Sequence, residues 1–450
     1  MTTTTNADGN ADAAVPTNPR SRVIVASLIG TSIEFYDFYV YATAAVLVFP
    51  ALFFANDDPT IELLASFAVF GVAFIARPIG SIVFGHFGDK IGRKGTLVAS
   101  LLTMGIATFI IGILPTGLTP GWEILAPALL VLMRFGQGLG LGGEWSGAAL
   151  LATENAPEGK RAIYGTFPQL GAPIGFILAN SIFLIFSLTL TAEQFTAWGW
   201  RIPFLASALL VIVGLYVRFK LVETPAFQKV VADGEVAKRP LAQVFKSSWR
   251  PLILGTFIML ATYTLFYLMT TFTLTYGTAA TDAPVAGLGY TRPEFLIMLI
   301  IGVVFFGIFT LVSGPLAERF GRRAMLLVVT GGIIVFGFLF VPLLGGGGIS
   351  VQMMLILGFS LMGLTFGPMA AVLPELFPTN VRYTGSAISY NMASILGAAV
   401  APFIAVALWT AGGGSPFLVG VYLAVMGAIT FVALLISKET RDIDYAGNVA

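Results

Sequence analysis

Apolar residues in this chain come in blocks about as long as a bilayer is thick, and the blocks recur almost from end to end. A run of about 20 apolar residues spans the hydrocarbon core as a helix. Such blocks fit at 23–50, 61–84, 95–115, 123–150, 162–187, 201–219, 251–277, 293–315, 324–344, 350–374, 385–410 and 417–437. Twelve transmembrane helices are therefore expected. Only 10% of the 450 residues are charged and 57% are hydrophobic, whereas a water-soluble domain carries about a quarter charged residues. A transmembrane barrel would show short alternating segments instead of solid blocks. The fold class is an all-α polytopic membrane protein with the lipid bilayer as its constant partner.

Composition excludes further chemistry. With no cysteine and a single histidine, His86, disulfides and thiolate or imidazole metal sites are not expected. The net charge of +1 gives no sign of a nucleic-acid partner. Residues 1–21 lack apolar periodicity and read as a disordered tail. The first apolar block is too long for a signal-peptide core and reads as an uncleaved first helix.

Basic residues set the orientation. With both termini on one side, the loops there hold twenty of the 24 Lys and Arg, and the opposite loops hold only Arg201 and Arg292. The positive-inside rule then places both termini in the cytoplasm. Arg77 and Arg134 fall inside spans.

The chain also repeats itself. GHFGDKIGRK (85–94) matches GPLAERFGRR (314–323), and ENAPEGKR (154–161) matches ELFPTNVR (375–382). These matches follow corresponding spans on either side of one long charged connection. They point to a duplicated unit: six helices over 22–219, a central cytoplasmic loop over 220–249, six helices over 250–437, and a short cytoplasmic tail over 438–450. Two pseudo-equivalent bundles with a site at their interface form a secondary-transporter architecture.

At these motifs the sequence resembles the major facilitator superfamily. Its G-x-x-x-D-x-x-G-R-K signature is met by Gly85, Asp89, Gly92, Arg93 and Lys94, while the second copy carries Glu318 for the aspartate. EFYDFYVY (34–41), RFGQGLGLGGEWSGAALLATENAP (134–157), WGWRIPF (198–204) and LPELFPTNVRYTGSAISYN (373–391) narrow the resemblance. Together they look like the metabolite:proton symporter family, which includes shikimate, α-ketoglutarate, citrate and proline/betaine permeases. The resemblance spans about 20–440, but no coiled-coil heptads follow the last span, unlike the osmosensing betaine permeases. It implies a bacterial inner-membrane protein working as a monomer by alternating access. Its energy source would be a proton gradient with no cofactor, and its substrate a small molecule bearing a carboxylate.

Glu34 and Asp37 share one face of the first helix, which Tyr41 continues. Carboxylates within a span must face the bundle interior or a wet cavity. They are the expected proton-coupling residues, because a buried carboxyl's proton affinity responds to what stands beside it. Arg134, with Gln137 one turn on, suits an anionic substrate, since guanidinium binds carboxylate bidentately. The alternative is static pairing, Asp37 with Arg134 and Glu34 with Arg77. The glycines around Glu144 allow close helix approach and suggest a structural or gating role for it. The superfamily resemblance makes Asp89, Arg93, Glu154 and Arg161, with Glu318, Arg322, Glu375 and Arg382, a cytoplasmic latch. It also makes Gln169, Tyr263, Tyr267, Tyr390 and Asn391 candidates to line the substrate site, with helix–helix hydrogen bonding as the alternative. The nucleotide-binding G-x-x-x-x-G-K-[ST] pattern does not occur, and no nucleophile and base suggest an enzyme. The expectation is a proton-coupled importer of a small organic acid or zwitterion. The alternatives are a proton-coupled exporter and a non-transporting membrane sensor.

Overall fold

The computed structural model describes the backbone of residues 19–91, 93–219, 240–378 and 381–443. The side chains of 85–94 and of Glu154 lie outside the described residues, so the expected latch members Asp89, Arg93 and Glu154 have no placement. The same holds for 1–18, most of the central loop, and 444–450.

Twelve helical rods follow one another: α1 (Arg20–Leu47), α2 (Pro59–Ile91), α3 (Arg93–Ile113), α4 (Leu125–Thr153), α5 (Arg161–Thr189), α6 (Arg201–Phe219), α7 (Trp249–Thr278), α8 (Arg292–Phe320), α9 (Arg322–Phe338), α10 (Gly348–Glu375), α11 (Arg382–Ala411) and α12 (Phe417–Ile436). Among the described residues no strand occurs. Helices are the form a chain takes where lipid leaves backbone polar groups no other partner. Among the described residues, nine of the rods are long and apolar enough to cross a membrane. The others are α1, α3 and α9. In α1 the cause is the polar load of its carboxylates and tyrosines.

Each half packs in the same pattern. In the first, α1 lies against α5 and α6, and α2 against α4. In the second, α7 lies against α11 and α12, and α8 against α10. The halves meet along α5 with α8 and along α2 with α11. These two seams exchange under the sequence repeat.

Small residues let the rods approach. A Cβ on Gly138 of α4 would collide with the backbone of Ala73 on α2. One on Gly142 would sit 2.6 Å from the amide nitrogen of Ser81. Gly138, Gly142 and Gly143 thus make the α2–α4 contact, while Gly136 and Gly140 face α3, in the manner of small-residue seams in lipid.

Several rods are interrupted, and the interruptions match between halves. α4 breaks at 142–144 and α10 at 367–368, while α5 breaks at Leu170 and α11 loosens into a π-turn over Ile395–Ala399. α7 carries a second π-turn over Leu268–Phe272. Such turns within helices gather at functional sites, and broken helices line the substrate sites of transporters.

Candidate functional site

The stripe Glu34–Asp37–Tyr41 faces inward, and all three side chains are buried. Asp37 Oδ2 accepts from the Thr108 hydroxyl at 3.1 Å. Thr108 accepts from Gln137 Nε2 at 2.7 Å, and Gln137 Oε1 accepts from Arg134 Nη1 at 2.9 Å. Arg134 and Asp37 are therefore joined through a threonine and a glutamine, and the expected direct ion pair is absent among the described residues. Tyr41 explains part of this. Its ring lies 4.0 Å from the guanidinium carbon of Arg134, with Phe38 at 4.7 Å and Phe70 at 4.9 Å. Aromatic faces stabilise a buried cation by a kcal/mol or two, on the order of, without neutralising it. Asp37 Oδ1, Glu34 Oε2 and Arg134 Nη2 have no hydrogen-bond partner.

Arg77 stands elsewhere than expected. It forms no ion pair with Glu34, and its Nε has no partner. Its guanidinium carbon lies 4.9 Å from the Phe38 ring and 4.8 Å from that of Phe74. It lines a cavity between the bundles with Phe35, Thr262, Tyr263, Phe266, Tyr267, Phe366 and Tyr390. The cavity leaves about 10 Å³ for the centre of a water molecule, about one water's worth, so the interface is closed around it. The basic side chain at the central cavity is thus Arg77, while Arg134, Gln137 and Tyr41 lie within the first bundle.

Of the other expected lining residues, Tyr263, Tyr267 and Tyr390 surround the cavity. Gln169 and Asn391 instead tie the halves together. Gln169, at the α5 break, accepts from Trp145 Nε1 at 3.0 Å and donates to the Phe366 carbonyl at 2.7 Å. Trp145 stacks on Tyr390 at 3.8 Å between centroids and 8° between planes. Asn391 Nδ2 donates to Ser81 Oγ across the α2–α11 seam at 2.7 Å.

Glu144, at the α4 break, forms a buried ion pair with Arg218 of α6. Counting basic residues had assigned Arg218 to the loop. It stands one residue before the end of its span, and its long side chain is buried. Glu144 thus holds the first bundle together rather than latching it to the second. Glu144→Gln is expected to destabilise the protein by about 3–5 kcal/mol, because it breaks a buried ion pair by removing one of its partners. In thermal unfolding, Glu144→Gln with Arg218→Gln should recover part of that loss.

At the end of the molecule where α8 turns into α9, charged residues of the second repeat come together. Arg322 Nη1 donates to Glu318 Oε2 at 2.7 Å, and its Nη2 pairs with Glu375 Oε1 at 3.2 Å. Glu318 also crosses between bundles and accepts the Ala162 N–H at 2.6 Å. Arg382 does not join these carboxylates in the same way: its Nε donates to the Phe377 carbonyl at 3.3 Å. Arg161 Nη1 donates to the Ile443 carbonyl at 2.9 Å, and Tyr383 donates to the Gly143 carbonyl at 2.7 Å. Gly321 makes the α8–α9 turn at φ 90°, where a side chain would strain the backbone. Beside it Glu439 accepts the N–H groups of Arg322 and Arg323 at 2.8 and 3.0 Å. Glu439, Thr440 and Ile443 had been read only as a tail. A glutamate followed by threonine one turn beyond the last apolar block was the available signal.

The profile of the Major Facilitator Superfamily matches residues 27–402. The chain is 61% identical over 428 residues to the inner membrane metabolite transport protein YhjE of Escherichia coli, covering 95% of this chain and 96% of that protein. It is 36% identical to a shikimate transporter of Escherichia coli, covering 93% and 95% of the two chains. It is 33% identical to a proline/betaine transporter of Salmonella typhimurium, covering 94% and 84%. Among solved structures, the proton:xylose symporter XylE bound to 6-bromo-6-deoxy-D-glucose superposes with a TM-score of 0.73 at 18% identity, covering 94% of this chain and 96% of that one. A partially occluded inward-open XylE from E. coli gives a TM-score of 0.70 at 15% identity, with 94% and 99% covered. Twelve rods in two matching halves, closed over a central cavity, accord with these likenesses, and the chain belongs to the major facilitator superfamily as a multi-pass membrane transporter.

Proposed function

We propose that the protein is a proton-coupled symporter that takes up a small organic acid or zwitterion across the bacterial inner membrane, with both termini cytoplasmic. The observation that carries this reading is Arg77. It is a buried guanidinium without a carboxylate partner, set among aromatic rings in a closed cavity where the two bundles meet. A substrate carboxylate supplies the missing bidentate acceptor, and the rings of Tyr263, Tyr267 and Tyr390 supply apolar walls and hydroxyls.

The Asp37 relay lies beside this cavity in the same bundle and shares Phe38 with it, since that ring packs against both Arg77 and Arg134. An ionised carboxyl with one hydrogen bond is costly in such a place. Proton uptake at Asp37 therefore balances the charge of the closed, loaded carrier. Release toward the cytoplasm requires the Glu318–Ala162, Arg161–Ile443 and Tyr383–Gly143 contacts to break.

Substrate-driven proton uptake in proteoliposomes tests the reading: acid influx with no accompanying alkalinisation outside would sink the coupling. The latch has its own test, made clean by the absence of native cysteines. With a single cysteine at Ala162, Glu318→Ala together with Tyr383→Phe is expected to raise the thiol-labelling rate about 30-fold, because two cross-bundle bonds worth about a kcal/mol each are lost. An unchanged rate would show that these bonds do not hold the gate.

A further inference from the structure

A second cavity lies beyond the central one, one to two turns farther from the latch along α1, α5 and α7. It is lined by Tyr39 and Thr43 of α1, Phe176 and Asn180 of α5, and Thr270 and Thr271 of α7, so both bundles contribute. It likewise leaves about 10 Å³ for the centre of a water molecule. Its chemistry differs from that of the central cavity: no charged side chain lines it, and hydroxyl and amide groups do. Two of these, Tyr39 Oη and Thr271 Oγ1, are buried and have no hydrogen-bond partner. Thr43 and Asn180 are already bonded to each other at 2.9 Å, and the Thr270 hydroxyl is turned back on the Phe266 carbonyl at 2.7 Å.

Two observations mark this place as built for a ligand. Leaving a buried hydroxyl unpaired costs free energy that a threonine-to-valine change would avoid, yet two residues lining this one cavity carry such a hydroxyl. Thr270 and Thr271 also lie within the α7 π-turn, a helix defect of the kind found at functional sites. Between the two cavities, the ring of Tyr39 in the first bundle stacks on Phe266 in the second, 5.5 Å apart at 28°. The stack joins side chains of opposite bundles, so rocking the bundles apart at this end separates the rings and merges the cavities.

We infer that this second cavity binds the uncharged hydroxyl groups of the substrate, so that the cargo is a hydroxylated carboxylic acid whose acid end meets Arg77. The inference rests on the proposed role of Arg77. When the Tyr39–Phe266 stack parts, one molecule reaches both Arg77 and the Tyr39–Thr271 pair. With no substrate aboard, the closed stack keeps the two cavities apart. The pocket offers no carboxylate to a cationic group, which argues against a permanent ammonium at that end of the cargo.

The test uses the full-length protein in lipid nanodiscs and a matched pair of probes, cyclohexanecarboxylate and 3,4,5-trihydroxycyclohexanecarboxylate, titrated by thermal shift. The wild type is expected to bind the hydroxylated acid at least about tenfold more tightly. Tyr39→Phe and Thr271→Val each remove one hydroxyl while keeping shape. Each is expected to cut that preference about three- to tenfold, the range for one hydrogen bond, and to leave the affinity for the plain acid within about twofold. Equal binding of the two acids by the wild type overturns the inference and leaves the Arg77 reading standing. A preference that survives both substitutions also overturns it and makes the cavity a water site only. If neither acid binds, the Arg77 reading falls with it.

Discussion

Arg77→Gln is expected to weaken binding of a carboxylate substrate by 2 kcal/mol or more, about 30-fold, the usual scale for removing one partner of a buried charged pair. Its discriminating readout is the stability of the substrate-free protein. Had Arg77 been half of a structural pair with Glu34, its loss would destabilise the fold by about 3–5 kcal/mol. Among the described residues its guanidinium forms no ion pair, so thermal unfolding without substrate is expected to change by less than about 1 kcal/mol while binding collapses. Weak binding together with a matching loss of stability would return Arg77 to the frame.

The second large effect falls on Asp37. Asp37→Asn keeps the side chain's shape and its acceptor toward Thr108 but cannot take up a proton. The variant is expected to lose substrate-driven alkalinisation and gradient-driven accumulation by about a hundredfold or more, the upper half of the range for a positioned proton-transfer group. Substrate counterflow between equal pH on both sides is expected to persist, because exchange needs loading and rocking but no net proton movement. Alkalinisation equal to wild type would remove Asp37 from the coupling. Loss of counterflow as well would make it part of the binding site instead.

What the sequence discloses follows from the length scale that produces each feature. The bilayer sets span length, so twelve apolar blocks could be read directly, and the repeated loops disclosed the halves. The GLGLGGE run disclosed a close helix approach, because glycine allows it, but not that α2 and α3 are the partners. Rotation of each rod about its axis left no such trace. Arg77 and Arg134 are each a lone cation in an apolar block, and nothing in either string tells which faces the partner bundle. The pairing of Asp37 with Arg134 failed for a related reason. Reach along the helices permits it, but Thr108 and Gln137 occupy the space between; Gln137 is legible beside Arg134, whereas a threonine hydroxyl does not stand out in a transmembrane string. Arg218 was misplaced because a residue near a span's end counts with the loop when only linear position is known. The α7 π-turn, LMTTF, contains neither glycine nor proline to announce it.

The Thr108 hydroxyl has a property of its own. Its single hydrogen stands within reach of two acceptors, Asp37 Oδ2 at 3.1 Å and the Met104 carbonyl at 3.0 Å. While Asp37 is ionised, the hydrogen can point to the carboxylate. Once Asp37 is neutral, the hydrogen can swing to the carbonyl, and a lone pair of the same oxygen can receive the acid's own O–H. Thr108 is in effect a two-position rotor that suits either charge state through a bond rotation alone. If Asp37 carries the coupled proton as proposed, the carrier can be charged and discharged without its helices having to move, so binding a proton and reversing the direction of access would be separate acts, joined only when the substrate is aboard.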